Sequence, residues 1–141
     1  MRKLLLSLGL LLVVALSLRG VEQANELART QQESVANQTA AISTITLASP
    51  TVNTGYLVTS HIAVHGTNGG NTCVTPMLDY TDVNGFSHNA SGGGCVQSDN
   101  NSDGPLFIYA KGGTNVTFAT GYSGGTDNAS YDVVVSLYQQ P

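Results

Sequence analysis

Apolar and polar positions follow three different patterns along this chain, and each predicts a different element. Residues 4–18 are a nearly unbroken aliphatic run, interrupted only by Ser7, Gly9 and Ser17. Residues 21–39 are rich in Gln, Glu, Ala and Asn, lack Pro and Gly, and are compatible with a helix. A heptad frame fits this stretch, with Val21, Ala28, Val35 and Ile42 at one seam position and Ala24, Gln31, Gln38 and Ile45 at the other. Alanines and glutamines fill half of that seam, so the pattern reads as a polar stalk, with a short oligomerising helix as the alternative.

From Ile42 onward the texture becomes short, β-branched and alternating. Residues 42–47 predict a first strand. Residues 56–64 predict a second, with Tyr56, Val58, Ser60, Ile62 and Val64 on one face. Residues 74–83 predict a third, and Pro76 near its start suggests an edge strand or a bulge. Asn84-Gly85 then predicts a type I′ hairpin, with Phe86 opening the returning strand. Strands at 106–110 and 116–120 flank Lys111-Gly112-Gly113-Thr114-Asn115, a predicted glycine hairpin. The last strand, 131–138, places Tyr131, Val133, Val135 and Leu137 on the buried side. Seven or eight short strands in about 100 residues predict an all-β fold, a single antiparallel β-sandwich of jelly-roll type after an N-terminal signal or helical segment.

Arg2 and Lys3 ahead of the aliphatic run complete the pattern of a secretory signal. The run is shorter than the roughly twenty apolar residues that cross a bilayer. Ala15-Leu16-Ser17 offers small residues for cleavage, and an uncleaved anchor is the alternative. The expected organisation is a signal or membrane anchor at 1–18, a polar helical stalk at 19–41 and the β-sandwich at 42–141. Location is expected to be secreted or cell-envelope, with membrane contact only through the N-terminal segment.

Charge narrows the set of partners. From Ile42 to the end there are six aspartates, one lysine (Lys111), no arginine and no glutamate, a net charge of −5. Nucleic acids and anionic membranes both require clustered Lys or Arg, so neither is an expected partner. In an exported chain the two cysteines, Cys73 and Cys95, predict a disulfide. Closing a loop of that length contributes on the order of 3 kcal/mol.

Leu78-Asp79-Tyr80-Thr81-Asp82-Val83-Asn84-Gly85 and the run from Leu106 to Gln139 together resemble the small jelly-roll, C1q/TNF-like domains of exported bacterial proteins and phage virion surfaces. The resemblance covers about the last 95 residues and rests on strand and turn chemistry. It implies a domain that binds, decorates or trimerises and does not catalyse. No functional residue is carried over from it.

Candidate chemistry is sparse. Asp99, Asn101 and Asp103, followed by Gly104, match the first half of an EF-hand-type Ca²⁺ loop. The acid expected at the twelfth position is replaced by Ala110, so Asp79 or Asp82 would have to complete the site. Gly121-Tyr122-Ser123-Gly124-Gly125 matches G-x-S-x-G, but a nucleophile elbow needs a following helix, and a strand comes next. His61 and His65 share one strand face about 13 Å apart, too far to share a metal. Tyr109, Tyr122 and Tyr138 are candidate ligand-binding residues for a sugar or a protein, because alternation places Tyr109 and Tyr138 away from the core. Sequons at Asn37, Asn89, Asn100, Asn115 and Asn128 mark surface positions. The reading that follows is an exported, non-enzymatic surface binding or structural module, with a homotrimer as its candidate assembly. The alternative is a carbohydrate-binding module with a stabilising Ca²⁺; no other cofactor is expected.

Overall fold

Alternation of buried and exposed side chains along the strands builds the core. The computed structural model describes residues 28–65, 72–91, 96, 101–124 and 129–141, with the backbone alone for 28–30, 91 and 101–104. It contains β1 (Ala28–Gln38), β2 (Ile45–Ala48), β3 (Thr54–His65), β4 (Cys73–Thr81), β5 (Ser87–Ser91), β6 (Asn101–Ala110), β7 (Val116–Ser123) and β8 (Ser130–Gln139). The described residues contain no helix. Two four-stranded sheets form, in the orders β1-β8-β3-β6 and β2-β7-β4-β5. Every ladder is antiparallel.

The pairings are nested. β4 pairs with β5, β3 with β6, β2 with β7 and β1 with β8. The chain therefore behaves as one long hairpin, bent at the β4–β5 turn and wrapped on itself. The β3–β8 and β4–β7 ladders complete the two sheets. This is the jelly-roll order.

Period-two alternation places Tyr56, Val58, Ile62 and Val64 of β3 inside, facing Val74 and Leu78 of β4 and Val116 and Phe118 of β7. Tyr131, Val133, Val135 and Leu137 of β8 fill the middle of this layer, as the sequence predicts. Each such side chain contributes roughly 1.5–3 kcal/mol by leaving water.

Four local expectations are corrected. Residues 28–38, expected within a helical stalk, form β1, so the sandwich begins by residue 28 rather than 42. Gln31, Glu33 and Val35 point half-buried toward the core while Gln32, Ser34 and Ala36 face solvent. The open edge of β8 supplies a ladder that overrides weak strand propensity. Pro76 lies in β4, an interior strand, rather than on an edge. Val74 exchanges both backbone hydrogen bonds with Val96, so period two turns the nitrogen of Pro76 the same way, away from β7. The β5 ladder starts only at Met77, so the missing donor interrupts none of its pairs.

The β4–β5 turn is a three-residue loop instead of a type I′ pair. Asp82 N–H donates to Phe86 C=O (2.9 Å), Gly85 N–H donates to Asp82 C=O (2.9 Å), and Gly85 alone is left-handed (φ 89°). Residues 111–115 are not a hairpin, because β6 and β7 belong to different sheets. They cross between the sheets, held by Lys111 N–H to Thr81 C=O (2.9 Å), Gly113 N–H to Pro50 C=O (2.7 Å) and Gly112 N–H to Asn53 Oδ1 (3.0 Å).

A hydrogen-bonded relay fastens the segment after β1 to the second sheet. Ile42 N–H donates to Thr120 Oγ1 (2.9 Å), the Thr120 hydroxyl meets Tyr131 Oη (2.6 Å), and Tyr131 O–H donates to Ala40 C=O (2.8 Å). Burial raises the Tyr131 phenol pKa above its ordinary value. Tyr131→Phe takes away the acceptor of the buried Thr120 hydroxyl proton and the donor to Ala40 C=O, and is expected to cost about 1–3 kcal/mol in urea unfolding.

The crossing loop provides a paired test. A Cβ on Gly112 would lie 2.6 Å from the Val52 Cα, whereas one on Gly113 meets nothing within 4 Å but sits at φ 79°. Gly112→Ala is expected to destabilise by about 1–3 kcal/mol through overpacking. Gly113→Ala should cost about 1–2 kcal/mol through backbone strain alone. Only the Gly112 variant should therefore shift the amide resonances of Thr51 and Val52.

Candidate functional site

Alternation that buries Tyr56, Val58, Ile108 and Leu137 turns their neighbours to the outside of the β1-β8-β3-β6 sheet. Leu57 of β3 lies between Tyr138 of β8 and Phe107 of β6 in direct cross-strand register. The next pair along, Gly55 and Tyr109, places the Tyr109 ring beside a position with no side chain. Phe107 is 67% exposed and Tyr109 55%. Three strands thus present a contiguous row of aromatic and aliphatic groups at one end of the sheet. Farther along, the same face becomes polar through Thr59, Ser136 and His61.

Tyr109 and Tyr138 therefore share one outer face, as the alternation predicts. Tyr122 does not join them. It belongs to β7 in the other sheet, stacks on Tyr131 (centroids 5.7 Å apart) and donates its hydroxyl to Ala129 C=O (2.8 Å). Its role is packing against the core. Sequence reasoning missed Leu57 and Phe107, although each sits one residue from a core position, which is the signal for an outward side chain.

Two aspartates act as clamps. Asp82 Oδ1 accepts Asn84 N–H (2.9 Å) and Phe86 N–H (3.0 Å), and its Oδ2 meets His88 Nε2 (2.9 Å). His88 also stacks on Tyr80, with centroids 4.9 Å apart. Asp132 accepts Asn37 N–H (2.7 Å) and meets His65 Nε2 (2.9 Å). Asn37 has φ 55°, so this contact holds the end of β1 in a left-handed turn. Hydrogen bonds from His88, then from the Phe86 amide, hold the Asp82 carboxyl below its ordinary pKa. The Asn37 amide, then His65, does the same for Asp132.

The proposed calcium residues are only partly in view. Asp99 lies outside the described residues, as do the side chains of Asn101 and Asp103. The backbone there is already strand β6, with Asn101 opposite Ile62 and Asp103 opposite Ser60. Asp79 accepts Asn89 Nδ2 (2.6 Å) and Asp82 is committed to its turn. Among the described residues no group of three His, Cys, Asp or Glu side chains is placed to hold a metal. Cys73 opens β4, and Cys95, its expected partner, lies outside the described residues. Ser123 of the G-x-S-x-G match is an exposed end of β7 with strand geometry. His61 is exposed on the outer face of β3. Sequon residues Asn37, Asn89 and Asn115 are exposed, and Asn100 and Asn128 lie outside the described residues.

Strand order and faces together define an eight-stranded jelly-roll sandwich. No family model matches the chain, and no curated protein does. Among solved structures it is similar to infectious bursal disease virus, Gx strain, at 10% identity and a TM-score of 0.39, over 78% of this chain and 32% of the viral one. The VP2 subviral particle of the same virus matches at 13% identity and a TM-score of 0.36, over 75% of this chain and 32% of that one. The chain spans about a third of the length of these viral chains. Both are structures of a virus or its subviral particle.

The clamps give a pH dependence of defined sign. A carboxyl with a depressed folded pKa stabilises fully above its unfolded value, about 3.9, and that contribution is lost as pH falls through the folded value. Melting temperature is therefore expected to fall on acidification below about pH 4. Asp82→Asn and Asp132→Asn should each flatten that fall while lowering the melting temperature at neutral pH. Melting curves from pH 2 to 7 check both, and an unchanged slope in the double variant would contradict the assignment.

Proposed function

We propose that this chain is an exported, non-enzymatic structural module of a surface, and that its outer aromatic face is covered by a neighbouring subunit. The observation that carries the reading is the contrast among the four sheet edges. β2 and β5 are short, at 4 and 5 residues, and β1 is edged with Gln, Glu, Arg and Ser. Short or charged edges resist unplanned pairing. β6 is long by contrast, at 10 residues; Asp103 and Pro105 blunt its first half, but from 106 to 110 it is uncharged and carries the exposed Leu106, Phe107 and Tyr109. Exposed apolar patches of this kind mark contact sites. Self-association fits a domain with one lysine and no arginine past residue 42, because like-charged copies meet best across an uncharged strip. A trimer is the assembly form proposed, and a Cys73–Cys95 bridge belongs to the same exported reading.

Light scattering of the full chain tests it. The native chain is expected to run above monomer mass, and Phe107→Ser with Tyr109→Ser to run as a monomer. The melting behaviour of the fold should hardly change, since outward substitutions usually stay within about 0.5 kcal/mol. A native chain that stays monomeric at every concentration would sink the proposal.

A further inference from the structure

β1 is held to the domain by a backbone ladder more than by its side chains. Its 11 residues, Ala28–Gln38, run antiparallel to β8. Among the described side chains of the strand, Val35 packs on the core cluster. Two others bond within β1 itself: Gln31 Nε2 donates to Glu33 Oε1 (2.7 Å), and Gln38 Nε2 donates to Ala36 C=O (2.8 Å). Those two bonds travel with the strand. The ladder and the Val35 contact need a β8 and its core, and a second copy of the chain supplies identical ones.

The hinge is defined by what is pinned on either side of it. At the end of β1, Asn37 N–H donates to Asp132 Oδ1 (2.7 Å), and His65 Nε2 lies 2.9 Å from Asp132 Oδ2. Beyond it, Tyr131 O–H holds Ala40 C=O, and the buried Ile42 donates its N–H to Thr120 Oγ1. The pivot is therefore confined to Asn37, Gln38 and Thr39. There β1 advances three residues, Val35 to Gln38, while β8 advances two, Val133 to Tyr131. Asn37 takes up the extra residue with φ 55°. A left-handed φ costs residues that carry a Cβ, Asn less than most. Rotation about the Asn37 N–Cα bond to extended backbone removes that cost and swings β1 off its own β8. The closed and exchanged forms then differ in this hinge and share the same ladder, and short strained hinges favour exchange between copies. We infer that β1 is an exchangeable strand, which after release docks on the β8 edge of a second copy, with Asn37 as its hinge. The contact is separate from the outer aromatic face.

Cross-linking of mixed chains tests the inference. Ser34 and Val134 lie opposite each other in the β1–β8 ladder. Opposed Cα atoms in such a ladder are about 4.5–5.5 Å apart, a span that a disulfide bridges. Chains with Ser34→Cys alone are mixed with chains with Val134→Cys alone, all carrying Phe107→Ser and Tyr109→Ser so that the outer face does not hold copies together. The mixture is concentrated in urea below the unfolding midpoint, returned to buffer and oxidised. A disulfide between chains, joining positions 34 and 134, is expected; peptide mass mapping separates it from bonds to Cys73 or Cys95. Both substitutions in one chain should close the same bond within a monomer that has not seen urea. Where this pair does not oxidise, Gln32→Cys with Ser136→Cys, also in direct register, replaces it. Asn37→Gly accepts the left-handed φ and should lower the ratio of exchanged to closed chains. Asn37→Val should raise it on the order of tenfold; where that variant fails to fold, Asn37→Gly carries the comparison. No bond between chains, while the single-chain pair closes, would overturn the inference, and so would a ratio that does not respond to residue 37. Because every chain in the mixture lacks the aromatic pair, the outcome is independent of the light-scattering test.

Discussion

Two strands from the end of the chain hold the sandwich together. β8 is ladder-bonded to β1 on one side and β3 on the other, and β7 in the same way to β2 and β4. Their inward side chains, Val116 and Phe118 from β7 and Tyr131 to Leu137 from β8, meet across the middle of the core. Everything N-terminal must wait for them, because β1 pairs with β8, roughly 100 positions later, and β2 with β7, roughly 70 positions later. In that order β4–β5 is the local pair and β1–β8, joining Ala28 to Gln139, the most distant. Loop-closure entropy must be met before such non-local ladders stabilise anything, which places folding in the slow class of all-β domains.

That dependence explains what was legible in the residues. Strands β3, β4, β7 and β8 announce themselves, because each buries one face and leaves the other in water, so their alternation survives in the sequence. β1 does not. Its inward positions are Gln31, Glu33 and Val35, and its strand state comes from the waiting edge of β8 rather than from its own propensities. The loop at 111–115 shows the same limit from the other side. Glycines between two strands signal a tight connection, but not whether those strands join within a sheet or across the gap between sheets. Gly112 belongs there because Val52 leaves no room for a Cβ, a contact between segments sixty positions apart. Asn84-Gly85 was legible as a turn and illegible as a type, because Asp82 reaches forward to two amides and selects the three-residue form.

The surface follows the same logic. Tyr109 and Tyr138 could be turned outward by counting from core positions, and the count is right because β6 and β8 hold their phase across those residues. Tyr122 escaped the count, since it reads as a loop residue next to Gly121, Gly124 and Gly125. Extension of β7 to Ser123 instead carries its ring onto Tyr131, where it supports the same phenol that ties Ala40 and Ile42 to the second sheet.

β1 contributes little apolar area: Val35 is its one described side chain packed on the core cluster, and the Asn37–Asp132 contact fastens its end. Such a strand belongs to the less stable part of a domain, opening at lower free energy than β3 or β8. Loss of the Asp132 clamp on acidification therefore releases β1 before the inner strands β3 and β8, although Asp132 itself belongs to β8.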